Sequence, residues 1–466
     1  MLSNNLKDRS IEGAVNTVED TSYLSPKSAH LGIIAFYGLL AAIVVFAIPY
    51  GTVEVWHKSL LVLVICVLGG FRLMDAVMRG SFRIAGTPLL LPLAGILSLA
   101  LIQIVPWSGH GGFVSTDVYE TRSFILVFSG LLVAGEMLFF YTSTERRLKC
   151  LVALVIVVGA GSAIFGILRD VFLDAQNGLL SGYLLPDQGY AQFINRNHFA
   201  FLMEMVFGLM LGLLIKGEMS ERARFFGWML SAVVLYSLIS SNSRGGLIGL
   251  LGLSLFGAFM HFATWRDPRE TAPGRSRPYF RGGWIRRVLL ASGLGALVFG
   301  LIIVIIAFVG GDAVVSRIEK IQGEVETVNT GKINRSAIWN ATVELIEERP
   351  VFGAGFGGYA AAITKFDSTG GMLSLQQAHN DYLEVLANGG VAGFALFVVF
   401  GVIVALRASR NLMSRDPIVR ASCFGASIGI FGVLVHSFVD FGLHILINAL
   451  VFTVLIVIAT VRIRET

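Results

Sequence analysis

"LQQAHNDYLEVLANGGVAGFALFVVFGVIVAL", residues 375–406, changes character at its double glycine. After Gly390 no charged or strongly polar side chain occurs until Arg407. Backbone amides in hydrocarbon have no water to bond, so such a run must satisfy itself as a helix. Before the glycines, His379, Asn380 and Asp381 stand together at the head of a short helix. The stretch therefore reads as a polar cluster set at one edge of a membrane span.

Working outward, apolar runs of about 17–25 residues, enough for a hydrocarbon core of about 30 Å, recur along the chain. They fall near 31–50, 59–75, 87–106, 121–141, 148–167, 198–216, 226–243, 245–263, 285–309, 390–408, 419–440 and 444–462. The expectation is an all-α polytopic membrane protein with about twelve spans. Composition agrees: 55% of residues are hydrophobic and 14% charged, and mean hydropathy is +0.74. Soluble chains carry about 25% charged residues.

Lysine and arginine are retained on the cytoplasmic side during insertion. With the N-terminus inside, the inner segments hold roughly two thirds of the 36 Lys and Arg, and every inner loop is basic. Arg275, Arg277, Arg281, Arg286 and Arg287 then read as an orientation signal beside anionic lipid, not as a nucleic-acid site. The first thirty residues lack a cleavable signal pattern, so the first span is expected to remain as an anchor. Cys66, Cys150 and Cys423 fall in spans or at the inner edge, and no disulfide is expected. The chain divides into an inner tail 1–30, spans one to nine over 31–310, an outer loop 311–389, and spans ten to twelve over 390–466.

Two outer connections, 168–197 and 311–389, are long enough to house soluble chemistry. In the second, "INRSAIWNATVELIEERP" (333–350) places Ile338, Trp339, Val343 and Ile346 on one helical face and ends at Pro350. "GAGFGG" (353–358) matches the dinucleotide fingerprint by letter through Gly353, Gly355 and Gly358. It follows a helix where the fingerprint requires a strand, so tight turns are the better reading.

Outer arginines go against both sorting and insertion cost. Arg122, Arg169, Arg196, Arg244 and Arg335 all lie at outer span ends or in the long loop, Arg196 within "FINRNHFA" and Arg244 within "SSNSRGG". Guanidinium offers a planar fork of donors that matches phosphate oxygens, so a ring of arginines at headgroup level suits a diphosphate whose tail stays in lipid. The alternative is that each snorkels to headgroups. His379 is the sole histidine of the long loop, and a positioned imidazole is the usual group to take a proton from a sugar hydroxyl. "HSFVDFGLH" (436–444) spaces His436, Asp440 and His444 along one helical face. On an unbroken helix the outer pair lies about 12 Å apart, too far for one metal ion unless the helix breaks near Gly442. A polar cavity wall is expected instead, with Asp440 orienting an arginine or a substrate hydroxyl. Glu136 and Glu204, inside spans, are expected to face the bundle interior.

Arg335, Trp339, "ERPVFGAGFGGY" and "AHNDYLEVLANGGVAG", preceded by "SNSRGG" and followed by "HSFVDF", resemble the O-antigen ligase and Wzy-type polysaccharide polymerase superfamily of bacterial membrane glycosyltransferases. The resemblance is detailed over about 190–450, and the span pattern extends it to the whole chain. It implies a GT-C-like helical fold in the inner membrane. It also implies a periplasmic site, cytoplasmic termini and a donor glycan linked to undecaprenyl diphosphate. The acceptor would be a lipid A–core sugar in ligases or another lipid-linked glycan in polymerases, with a chain-length regulator as a possible partner.

His379 matches the histidine that activates the acceptor hydroxyl, with inversion and without metal or cofactor. Arg196, Arg244 and Arg335 match the diphosphate-binding arginines. Asn197, His198, Asn380, Asp381, Tyr382 and Asp440 are expected as supporting or acceptor-binding groups. "NRNHFA" resembles members tied to exopolysaccharide assembly and tilts the expectation toward a polymerase. A flippase for the same lipid would bind diphosphate too, but should distribute charge through the depth of its pathway. A hydrolase is disfavoured because H-E-x-x-H is absent, and the G-x-S-x-G letters of "GASIG" (425–429) fall inside the expected span 419–440 and not in a turn.

Overall fold

The computed structural model describes residues 26–106, 113–172, 189–264, 335–366 and 375–463. Among them the chain forms α1 (Pro26–Ala47), α2 (Val55–Met78), α3 (Thr87–Gln103), α4 (Val118–Tyr141), α5 (Glu145–Phe172), α6 (Arg196–Lys216), α7 (Glu221–Ser240) and α8 (Arg244–Ala263). Then follow α9 (Arg335–Glu348), α10 (Tyr359–Ala362), α11 (Asp381–Asn411), α12 (Pro417–His436) and α13 (Leu446–Thr460). Nine of these helices are long and apolar enough to cross a membrane, and α3 and α13 are shorter apolar helices. Each falls on an expected run. The run at 285–309, the basic segment 275–287 and parts of 1–30 and 311–389 lie outside the described residues.

The bundle is organised around α6, which is buried on nearly all sides. Its main partner is α12, and small residues set the crossing. A Cβ on Gly208 would come 2.5 Å from the Gly429 nitrogen, and one on Gly212 would come 2.1 Å from the Gly425 Cα. Such spacing of small residues lets two backbones touch within a membrane. The crossing fixes the start of α6 beside the end of α12, where the polar groups gather.

The long helix α11 is broken at Gly390, whose φ of +60° and ψ of −167° are non-helical. A Cβ there would meet the Val351 carbonyl oxygen at 2.3 Å. The amides released by the break are taken up by the turn after α9, Val391 N donating to Pro350 O at 2.8 Å and Ala392 N to Val351 O at 3.2 Å. The break coincides with the expected start of span ten at 390, so 381–389 is a separate helical segment ahead of the span. The fingerprint-like glycines make turns: Gly353 and Gly355 have φ of +68° and +101°. Buried Gln103 ties this loop to α3, donating to Phe352 O at 2.7 Å and Asn388 O at 3.0 Å and accepting from Phe356 N at 3.0 Å.

One expectation is corrected. His436, Asp440 and His444 do not share a helical face, because α12 ends at His436 and His444 lies in a 3-10 turn, Gly442–His444. The chain leaves the helix where Ser437 O accepts from Asp381 N at 2.9 Å and the Asp440 carboxylate takes the Phe441 amide at 2.9 Å. A Cβ on Gly442 would strike the Phe201 ring at 2.2 Å, so the chain turns tightly against α6. The three side chains consequently diverge.

Candidate active site

Three helices begin at one end of the bundle, each with a polar cap. Asn195 caps α6 through Asn197 N at 2.8 Å, Ser243 caps α8 through Gly246 N at 2.9 Å, and Asn380 caps α11 through Tyr382 N at 3.0 Å and Leu383 N at 3.1 Å. These residues are good caps because a short side-chain oxygen reaches the unpaired amides of the first turn. The starts are joined to one another. Ser243 Oγ donates to Asn197 Oδ1 at 2.8 Å, and Asn197 Nδ2 donates to Asp440 Oδ2. Arg196 and Arg244 each directly adjoin a member of this chain of bonds, and both are exposed. Two guanidinium groups and three helix N-termini thus contribute positive potential to one small region.

Asp440 is the hub. Its buried carboxylate accepts from Asn197 and from its neighbour's amide, and its Oδ1 lies 3.5 Å from His379 Nδ1. Burial pushes the Asp440 carboxyl up, but the His379 ring, His198 and the Phe441 amide outweigh it and hold it down at about 2. It is therefore a carboxylate at any working pH. His379 is 33% exposed, so its ring reaches solvent while its Nδ1 is turned inward.

The backbone carrying that ring is pinned. His379 has φ of +50°, unusual for a residue with a side chain. Immediately before it, Ala378 N donates to Glu384 Oε2 at 3.0 Å and Ala378 O accepts from Trp339 Nε1 at 3.1 Å. The amphipathic helix α9 thus serves, through Trp339, to fix the histidine.

The other expected residues fall as follows. Asp381 Oδ2 accepts from Ser437 Oγ at 2.7 Å, and Tyr382 Oη donates to Leu434 O at 2.7 Å while its ring lies 4.3 Å from that of Phe438. Both tie α11 to the end of α12. His198 is buried with its ring 5.0 Å from Phe441, and the same Phe441 ring lies 4.9 Å from His379 and 5.9 Å from His444. Arg335 begins α9, and its side chain lies outside the described residues. Arg169 is spent on a structural bond, Nη1 to Ala191 O at 2.7 Å, and Arg122 is exposed at the start of α4.

Glu204 faces the interior as expected, paired at 2.7 Å with His436 and with both side chains at 0% exposure. Glu136 is bound at 3.1 Å by Arg72 near the opposite end. Sequence reasoning missed Phe441 and Glu384, and it placed His444 on a polar cavity wall without the partners the structure gives it. Glu384 had a signal, since an acid shortly after an N-cap reaches back to the preceding amides. The pairing of His444 with Asp381 and Glu384 had none, because those acids come from a different helix.

A partly exposed imidazole backed by a fixed carboxylate, beside two arginines and three helix N-termini, can accept a proton from a hydroxyl while a polyanion is held close by. Residues 229–398 match the family model described as O-antigen ligase, Wzy_C. The matched segment includes Arg244, Arg335, Trp339 and His379 and stops before Asp440 and His444. No curated protein is found to match the chain.

Proposed function

We propose that this chain, as a member of the O-antigen ligase and Wzy-type family, transfers a glycan from a polyprenyl diphosphate carrier to a sugar hydroxyl during surface-polysaccharide assembly. The observation that carries the reading is the half-buried His379, set on the buried Asp440 carboxylate beside Arg196 and Arg244.

In the step proposed, His379 takes the proton of the acceptor hydroxyl as the oxygen attacks the anomeric carbon from the face opposite the diphosphate. The bond from that carbon to the phosphate oxygen breaks, and the electron pair leaves with the diphosphate. Inversion follows from a single displacement. A diphosphate is a competent leaving group, so cations and helix N-termini can stabilise its growing charge without a separate acid. The 3.5 Å between His379 and Asp440 is at the outer limit of a hydrogen bond, and such contacts commonly tighten once substrate binds. Asp440 would stabilise the imidazolium formed.

We place the site on the periplasmic face of the inner membrane with an undecaprenyl carrier. Support comes from Arg72, Arg147, Lys216, Arg407 and Arg420, which gather at the end of the bundle opposite His379, the pattern expected of cytoplasmic ends. The family description favours a ligase, whose acceptor under this reading is lipid A–core. "NRNHFA" at 195–200 favours the polymerase reading, in which the acceptor is another lipid-linked glycan.

Deleting the gene and separating lipid A–core from lipid-linked intermediates tests both. A ligase leaves long glycan on the carrier and bare core. A polymerase leaves single repeat units and no ladder. An unchanged profile contradicts the proposal.

A further inference from the structure

The site holds a second imidazole. His444 Nε2 lies 3.5 Å from Asp381 Oδ1 and 3.6 Å from Glu384 Oε1. Both carboxylates sit on the first turn of α11, with side chains 12% and 4% exposed. Their other oxygens are already engaged, Asp381 Oδ2 by Ser437 Oγ and Glu384 Oε2 by Ala378 N. Asp381 Oδ1 is buried with no hydrogen-bond partner among the described residues. The remaining oxygens therefore converge on one ring nitrogen, although they come from different residues.

Burial pushes the Asp381 and Glu384 carboxyls up to about 7; in the ionised form, which prevails above that pH, their oxygens only accept hydrogen bonds. A neutral imidazole beside them keeps its proton on Nε2 and presents Nδ1 as a lone-pair acceptor. The His444 side chain is 38% exposed, so the ring lies at the surface of the site. Phe441 lies between this ring and His379, at 5.9 and 4.9 Å. The two imidazoles flank one aromatic side chain at the scale of a sugar ring.

The charges divide the site. Arg196 and Arg244 stand at the starts of α6 and α8, whereas His444 is backed by two acids at the start of α11. Lys58 on α2 is a cation within electrostatic reach of His444. A diphosphate is favoured on the arginine side, and a neutral hydroxyl, which can donate to Nδ1, on the acid-backed side.

Resting on the glycan-transfer reading above, we infer that His444 is an acceptor-binding residue. It takes a hydrogen bond from one hydroxyl of the acceptor sugar and so selects which neighbouring hydroxyl is presented to His379. Asp381 and Glu384 act through it as positioning residues.

The test is steady-state transfer by purified protein in lipid nanodiscs, with a synthetic polyprenyl-diphosphate oligosaccharide as donor and, in parallel assays, a soluble core-type oligosaccharide or a second lipid-linked oligosaccharide as acceptor. His444→Leu should raise the acceptor KM about three- to ten-fold, the loss of one neutral hydrogen bond. The donor KM and kcat should stay within about two-fold of wild type on the same argument. His444→Asn, whose amide reaches the position of Nδ1, should restore part of the loss. An unchanged acceptor KM in folded His444→Leu overturns the inference alone. So does a fall in kcat as deep as that of a His379 variant, which would make His444 the base. Absence of transfer by the wild-type protein overturns the functional reading and this inference with it.

Discussion

Two histidine–carboxylate pairs lie close together where α6 meets α12, and they are built to opposite ends. His436 and Glu204 are 2.7 Å apart, wholly buried, and covered by the Phe201 ring stacked 3.9 Å from the imidazole. Gly245 and Gly249 of α8 press on the same pair, since a Cβ on either would come within 2.4 Å of it. His379 and Asp440 are 3.5 Å apart, with the carboxylate buried and the imidazole open. The sealed pair is the tighter, yet no substrate can reach it. Pairing by itself marks a structural tie. A buried acid with an exposed partner is the arrangement that can turn over protons.

The largest effect on folding should come from the sealed pair. His436→Ala leaves the Glu204 carboxyl buried without its partner, a change that costs about 3–5 kcal/mol. A large fall in melting temperature in detergent is expected, and an unchanged Tm would show that the pair is not the tie described. The open site should respond in binding instead. Arg244→Ala is expected to raise the donor KM about 10- to 100-fold, the range for a charge-assisted hydrogen bond. Arg244→Lys should recover little of it, because a point charge does not reproduce a fork. Full recovery with lysine would reduce the role of Arg244 to general electrostatics.

Asp440 gives a pH test with a defined sign. Its folded value of about 2 lies below the ordinary 3.8, so its stabilisation is complete above about pH 4 and disappears as pH falls through 2, worth about 2 kcal/mol. Asp440→Asn should therefore flatten the acid limb of the unfolding profile between pH 4 and 2 and leave the shape above pH 5 unchanged. A variant that keeps the acid limb would assign it to other groups. The smallest effect expected is that of Tyr382→Phe, which removes the bond to Leu434 O at 2.7 Å and costs about 1 kcal/mol. A strong loss of transfer there would give the hydroxyl a role in the chemistry.

Much of this was legible in the sequence because it is local. Apolar runs located the helices. Asn195, Ser243 and Asn380 are recognisable caps, and the double glycine at 389–390 marked the division between polar segment and span. Arg196 and Arg244 stood out because arginine is disfavoured at outer span ends, and His379 because it is the sole histidine of the long outer loop.

What was not legible depends on contacts between distant segments. The spacing of His436, Asp440 and His444 suggested one helical face, but the helix ends at His436 and the following turn, with Gly442 against Phe201, sends the three to different partners. Asp440 thereby reaches Asn197 and His379, and His444 reaches Asp381 and Glu384. No periodicity encodes those encounters.

The contrast between the two pairs can be tested with one variant read in two ways. Transfer rate and thermal stability would be measured together on purified His379→Ala in nanodiscs. The account predicts a rate lower by about 10²–10⁴-fold, the contribution typical of a general base, with the melting temperature of the wild type. Transfer within a few-fold of wild type, or a loss that merely follows unfolding, would contradict it.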